Sequence, residues 1–200
     1  MEGPVAPFDD DDDSHEEEEE DDGDDPRPRW MEGDSLAPYV ATEGGLLDAA
    51  LAFAELTPED VVCDLGSGDG RLPIWAVVRG AKGGVGVEVD GALVAKAKEN
   101  AQARRVAERV RILRGDLSDP DAEVLDAIDG ATLVTAYLLP EGLAQISPLL
   151  SRHLAKPGAR LLTLGWPPPK DAFRPTKVST LGESTGAGTD AYLFLSQSLS

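Results

Sequence analysis

The run Val61-Val62-Cys63-Asp64-Leu65 is short, apolar and β-branched, and it breaks at once into Gly66-Ser67-Gly68-Asp69-Gly70-Arg71. Ile74-Trp75-Ala76-Val77-Val78 follows and can continue as a helix. A strand that turns sharply through glycines into a helix brings bare backbone N–H groups up to a ligand at a helix N-terminus. The spacing narrows the ligand. A dinucleotide cradle needs G-x-G-x-x-G, whose third glycine lets the helix pack closely on the strand. Here Arg71 holds that third position, and the extra glycine falls one residue early, at Gly70. The loop is a poor pyrophosphate cradle and a better fit to a smaller, zwitterionic ligand.

The chain then repeats the strand–helix rhythm. Gly84-Val85-Gly86-Val87-Glu88-Val89-Asp90 reads as a second strand ending in an acid, where a carboxylate can accept both hydroxyls of a ribose. Glu88 and Asp90 can equally be solvated loop acids. A third strand, Val110 to Leu113, runs into Arg114-Gly115-Asp116-Leu117, which is either a ligand position or a plain turn. Helices are expected over Glu43–Leu56, Gly91–Ala107, Asp121–Ile128 and Glu141–Leu154, and further strands over Ala131–Ala136 and Ala159–Gly165. Trp166-Pro167-Pro168-Pro169-Lys170 cannot be helical, so strands five and six lack a helix between them. Thr176–Leu181 and Ala191–Ser196 close the pattern as a hairpin. His153, near a helix end, reads as a cap suited to the helix dipole rather than as a base.

Charge divides the chain. Residues 1–29 hold 15 of the 38 acids, with Arg27 and Arg29 as bases, and this tract cannot bury enough apolar surface to fold. It is expected to be a disordered acidic tail, either merely solvated or a docking arm for a basic partner, ahead of one folded domain over 30–200. That domain carries 23 acids against 16 bases, so no basic stripe suits it to nucleic acid. No stretch approaches the ~18 apolar residues of a membrane span, and the acid-rich tract makes an import signal unexpected. A cytoplasmic location is expected, with nuclear or mitochondrial ones open. The single cysteine, Cys63, can build neither a disulfide nor a zinc site within the chain, and no metal is expected.

The glycine string resembles motif I of the class I S-adenosylmethionine-dependent methyltransferases. A closer resemblance rests on Pro38-Tyr39-Val40-Ala41-Thr42, Asp64-Leu65-Gly66-Ser67-Gly68-Asp69-Gly70-Arg71, Gly86-Val87-Glu88-Val89-Asp90 and Tyr137-Leu138-Leu139-Pro140. Together these are similar to the protein-lysine methyltransferases of the ATP synthase c-subunit and the adenine nucleotide translocase, and to their bacterial relatives. The likeness spans about residues 36–196. The mitochondrial members carry an apolar anchoring segment not found here, and Ala41 replaces a proline of their pattern.

The resemblance implies a Rossmann-like three-layer sandwich, its sheet mostly parallel with an antiparallel C-terminal hairpin. It implies S-adenosylmethionine as cofactor and a protein lysine as acceptor. On the cofactor side it places Asp64, Gly66, Ser67, Gly68, Asp69 and Gly70 at the methionine half, Glu88 at the ribose, and Asp116 and Leu117 at the adenine. Tyr137 lines the acceptor side as the catalytic candidate, and Tyr39 belongs to a lid. Two alternatives stay open: methyl transfer to a small molecule or another protein side chain, and a non-catalytic Rossmann-like module whose acidic arm holds a basic partner.

Overall fold

A computed structural model describes residues 44–182 and 188–196. The acidic tract, Tyr39 and Ala41 lie outside the described residues. The elements alternate as the sequence rhythm requires: α1 (Gly44–Phe53), β1 (Val61–Leu65), α2 (Arg71–Val78), β2 (Gly83–Glu88), α3 (Gly91–Ala103), β3 (Val110–Arg114), α4 (Ala122–Gly130), β4 (Leu133–Ala136), α5 (Pro140–Gln145), α6 (Ser147–Leu154), β5 (Arg160–Leu164), β6 (Lys177–Leu181) and β7 (Thr189–Leu195). They build one seven-stranded sheet in the order β3-β2-β1-β4-β5-β7-β6. β1 pairs in parallel with β2 and β4, whereas β7 runs antiparallel to β5 and β6. The chain order reverses between β1 and β4, and the C-terminal ends of those strands open the crevice where α/β sheets bind ligands.

Both faces of the sheet are covered, which is why its strands read as near-continuous apolar runs. Leu47, Ala50 and Leu51 of α1 and Leu72, Trp75 and Ala76 of α2 pack with Val62, Leu133, Leu162 and Leu193. On the other face, Val124 and Ile128 of α4, Leu143 of α5 and Leu150 of α6 pack on Cys63, Leu65, Val134 and Leu161. Gly84 and Gly86 put small residues on the α2 side of β2. A Cβ on Gly84 would lie 2.6 Å from the carbonyl oxygen of Pro73. Asp90, left open as a ligand or a loop acid, caps α3 by accepting from the N–H groups of Ala92 at 2.7 Å and Leu93 at 3.3 Å.

The single helix expected over Glu141–Leu154 is two helices. Pro148 has no N–H to continue the ladder, so α5 ends and α6 starts afresh around Ile146. His153 is not a dipole cap. It is fully buried, with one ring nitrogen 2.8 Å from the Arg160 carbonyl oxygen, and burial holds its pKa below the ordinary value. As expected, no helix lies between β5 and β6. Phe173 instead plugs the proline-rich connection into the core, edge-on to Phe194.

Arg160, at the start of β5, ties α1 to the sheet. Its guanidinium donates to the carbonyls of Ala54 at 2.8 Å and Glu55 at 2.7 Å, groups the end of a helix leaves unpaired, and it forms an ion pair with Asp60. Burial alone would raise the Asp60 pKa, but Arg160, Thr132 and the Thr57 N–H together hold it below the usual value. Arg160→Met leaves a nearly buried carboxylate without its cation. We expect a loss of about 3–5 kcal/mol of stability, read as a lower urea midpoint.

Candidate functional site

The turn after β1 is built by three glycines in the left-handed region, with φ of 77° at Gly66, 54° at Gly68 and 77° at Gly70. That conformation is natural for glycine and strained for branched side chains. The N–H groups of Gly66 and Ser67 both donate to the Val87 carbonyl on β2, at 2.9 and 3.0 Å, so the turn folds back over the end of its neighbour strand. A Cβ on Gly70 would sit 2.8 Å from the Cβ of Ala97. Gly70 therefore supplies the close approach to α3 that frees Arg71 to be a large residue. Arg71 is itself buried, and its guanidinium clasps the Asp69 carboxylate through Nε at 3.0 Å and Nη2 at 2.9 Å. Asp69 is thus engaged with Arg71, whose backbone N–H it also accepts at 3.2 Å.

Glu88, at the tip of β2, is not a solvated loop acid. It is buried, and its carboxylate accepts from three backbone N–H groups: Gly68 at 2.8 Å on Oε2, and Val89 at 2.9 Å and Asp90 at 3.0 Å on Oε1. It braces the glycine turn and keeps one lone-pair direction of Oε2 for anything placed beside it. Asp64 lies across from Gly86 on β2 and Thr135 on β4. Among the described residues its carboxylate accepts from the Thr135 hydroxyl, 2.5 Å away on Oδ1, and no cationic side chain meets it. Burial pushes its pKa up to about 7; the Thr135 bond opposes the rise, and the charges of Glu88 and Asp69 add to it. Beside it Ser67 is buried with its hydroxyl unpartnered, packed where a Cβ on Gly86 would intrude at 2.5 Å. Cys63 faces the opposite core, and its thiol is pushed up to about 12, chiefly by burial.

The remaining positions line the same rim. Asp116 folds into a turn, accepting on Oδ1 from the N–H of Ser118 at 2.7 Å and its hydroxyl at 2.6 Å, and the hydroxyl bond above all holds its carboxyl below the ordinary range. Leu117 next to it is buried. Tyr137 follows β4 and is half-buried, with its ring 2.9 Å from where a Cβ of Gly165 would stand. Gly165, at φ 76°, thus makes room for the Tyr137 ring at the end of β5, and the partly exposed Trp166 comes next. Leu138 supports the turn from below, 2.8 Å from a Cβ built on Gly66. The structure gathers Asp64, Gly66 to Gly70 and Glu88 around one turn, with Tyr137 beyond the neighbouring strand. Sequence reading missed Thr135, Gly165 and the Asp69–Arg71 clasp. Alternate small residues at Gly84 and Gly86 signalled close approach on one face of β2, but nothing local marks Thr135. Among the described residues no group of three His, Cys, Asp or Glu side chains is placed to hold a metal ion.

Comparison with known proteins agrees with this fold. A family model described as the ANTKMT methyltransferase domain matches residues 64–173. A protein-lysine N-methyltransferase of Saccharolobus islandicus is 34% identical over 137 residues, covering 66% of this chain and 81% of that protein. A ribosomal protein L11 methyltransferase of Alkaliphilus oremlandii is 30% identical over 151 residues, and the match covers 66% of this chain but 44% of its relative. Among solved structures, an RNA methyltransferase from Salinibacter ruber, bound to S-adenosyl-L-homocysteine, superposes with a TM-score of 0.66 at 33% identity, over 80% of this chain and 96% of that one. A methyltransferase from Geobacter sulfurreducens with the same bound molecule gives 0.52 at 28% identity, over 64% and 52% of the two chains.

Proposed function

The chain belongs to the ANTKMT methyltransferase family and uses S-adenosylmethionine, and on that premise we propose that it methylates a lysine side chain of a protein. The observation that carries the acceptor is the similarity to a protein-lysine N-methyltransferase, of which the chain spans 81%. The residues around the turn fit the cofactor. A buried carboxylate that meets no cation among the described residues, at Asp64, suits the α-ammonium of the methionine half, and the Ser67 hydroxyl, unpartnered among those residues, lies at the same end. Glu88 takes a ribose hydroxyl on its remaining lone pair, and Asp116 and Leu117 bound the adenine.

Bound there, S-adenosylmethionine supplies a methyl group on a positive sulfur, already electrophilic. The work left to the protein is to align the acceptor and exclude water. A lysine must lose its proton to attack, and in this reading Tyr137, which follows β4, lines its entry.

A second reading rests on relatives named for RNA, the Salinibacter RNA methyltransferase and a probable ribosomal RNA methyltransferase of Methanosarcina mazei, 33% identical over 98 residues. The excess of acids over bases in residues 30–200 works against a phosphate backbone. Incubation with labelled S-adenosylmethionine and a lysate depleted of methylation separates the two. We expect label that survives ribonuclease and is lost to protease. Label lost to ribonuclease alone overturns the lysine reading, and label confined to small metabolites does the same.

A further inference from the structure

Asp64 and Thr135 stand 71 residues apart yet form a nearly water-free pair, 6% and 1% exposed, on adjacent strands. Thr135 is the polar residue in the apolar strand Leu133-Val134-Thr135-Ala136, and its hydroxyl is spent on Asp64 Oδ1. A threonine buried there gains nothing for the core that valine would not give, so its use lies in the carboxylate it holds. With Oδ1 fixed, Oδ2 is left to meet whatever enters beside Ser67. We propose that Thr135 is a positioning residue that aims Asp64 at the cofactor's α-ammonium, and that cofactor binding is thereby coupled to release of a proton from Asp64. This rests on the assignment of Asp64 to the ammonium made above.

The proton balance is simple. Before binding, the buried Asp64 shares its surroundings with two other acids: Glu88 from β2 and Asp69 from the turn. Asp69 is matched by Arg71, Glu88 by backbone N–H groups, and Thr135 faces Asp64 from β4. A pKa raised by burial to about 7 leaves Asp64 largely protonated at pH 6. When an ammonium arrives, the O–H bond of Asp64 breaks, its proton passes to solvent, and the carboxylate keeps the electron pair and accepts from N–H. Below about pH 7 affinity therefore rises with pH, about tenfold per unit in the limit.

The test is calorimetric titration of the full chain with S-adenosylhomocysteine from pH 5.5 to 8.5, in buffers of differing ionisation enthalpy. 5′-Methylthioadenosine, which has no amino acid part, is the control. For the wild type we expect release approaching one proton at pH 6 with the first ligand and none with the second. Thr135→Val should move the rising limb to higher pH and weaken S-adenosylhomocysteine about tenfold at pH 7, leaving methylthioadenosine unchanged; Thr135→Ser should restore the profile. A Thr135→Val protein that melts lower but keeps the wild-type pH profile shows a purely structural threonine and overturns the proposal. So does absence of proton release in the wild type, which needs no variant to fold. Asp64→Asn with undiminished S-adenosylhomocysteine affinity overturns instead the assignment of Asp64 on which the proposal rests.

Discussion

Gly68→Val is expected to weaken cofactor binding severely and abolish methyl transfer while leaving the secondary structure intact. Gly68 sits at φ 54°, which a β-branched residue reaches only with strain, at a cost of at least 1–2 kcal/mol. Relief of that strain turns the peptide and withdraws the N–H now 2.8 Å from Glu88 Oε2, a charged hydrogen bond contributing roughly 1.5–3 kcal/mol. Together these predict a loss of about a hundredfold or more in affinity for S-adenosylhomocysteine. The turn lies at the rim, so far-UV circular dichroism should barely change. Wild-type turnover in the valine protein would remove the glycine turn from the site.

Glu88→Ala should weaken both S-adenosylhomocysteine and methylthioadenosine, because both carry the ribose. Its effect goes beyond one ligand contact. Three backbone N–H groups lose their shared acceptor, so the turn itself loosens, and a lower melting temperature should accompany the weaker binding. A strand-tip acid read from sequence promises little structural effect; the buried, triply bonded carboxylate explains the difference. Glu88→Gln keeps the shape but turns one acceptor oxygen into a donor that faces an N–H, and it should fall between wild type and alanine. The pattern across ligands separates the acids: Glu88 variants act on both nucleosides, Asp64 and Thr135 variants on the one with an amino acid part. Unchanged affinity for both ligands in a folded Glu88→Ala protein would take Glu88 out of the site.

Much of the fold is written locally. The glycines at alternate positions after Val61–Leu65 dictate the turn, the proline run after Gly165 excludes a crossover helix, and the acid after Val87 marks the end of β2. What escaped reading is set by partners distant in the chain. Asp64 pairs with Thr135 only because β4 lies beside β1, an adjacency no spacing along the sequence states. Asp69 stands among the ligand positions of the glycine string, but a buried Arg71 two residues on offers it a bidentate guanidinium as well as the first N–H of α2 at 3.2 Å. The break between α5 and α6 was legible in Pro148, yet the apolar stripe on either side spoke for one continuous helix.

Lysine as acceptor is the claim on which the account turns, and amino acid analysis tests it most directly. Protein labelled by the purified chain with methyl-labelled S-adenosylmethionine is hydrolysed in acid, and the label is located by chromatography against standards. The account predicts that it elutes as Nε-methylated lysine, and that the Gly68→Val protein transfers none. Label recovered on another amino acid, or on a nucleoside with none in protein, contradicts it.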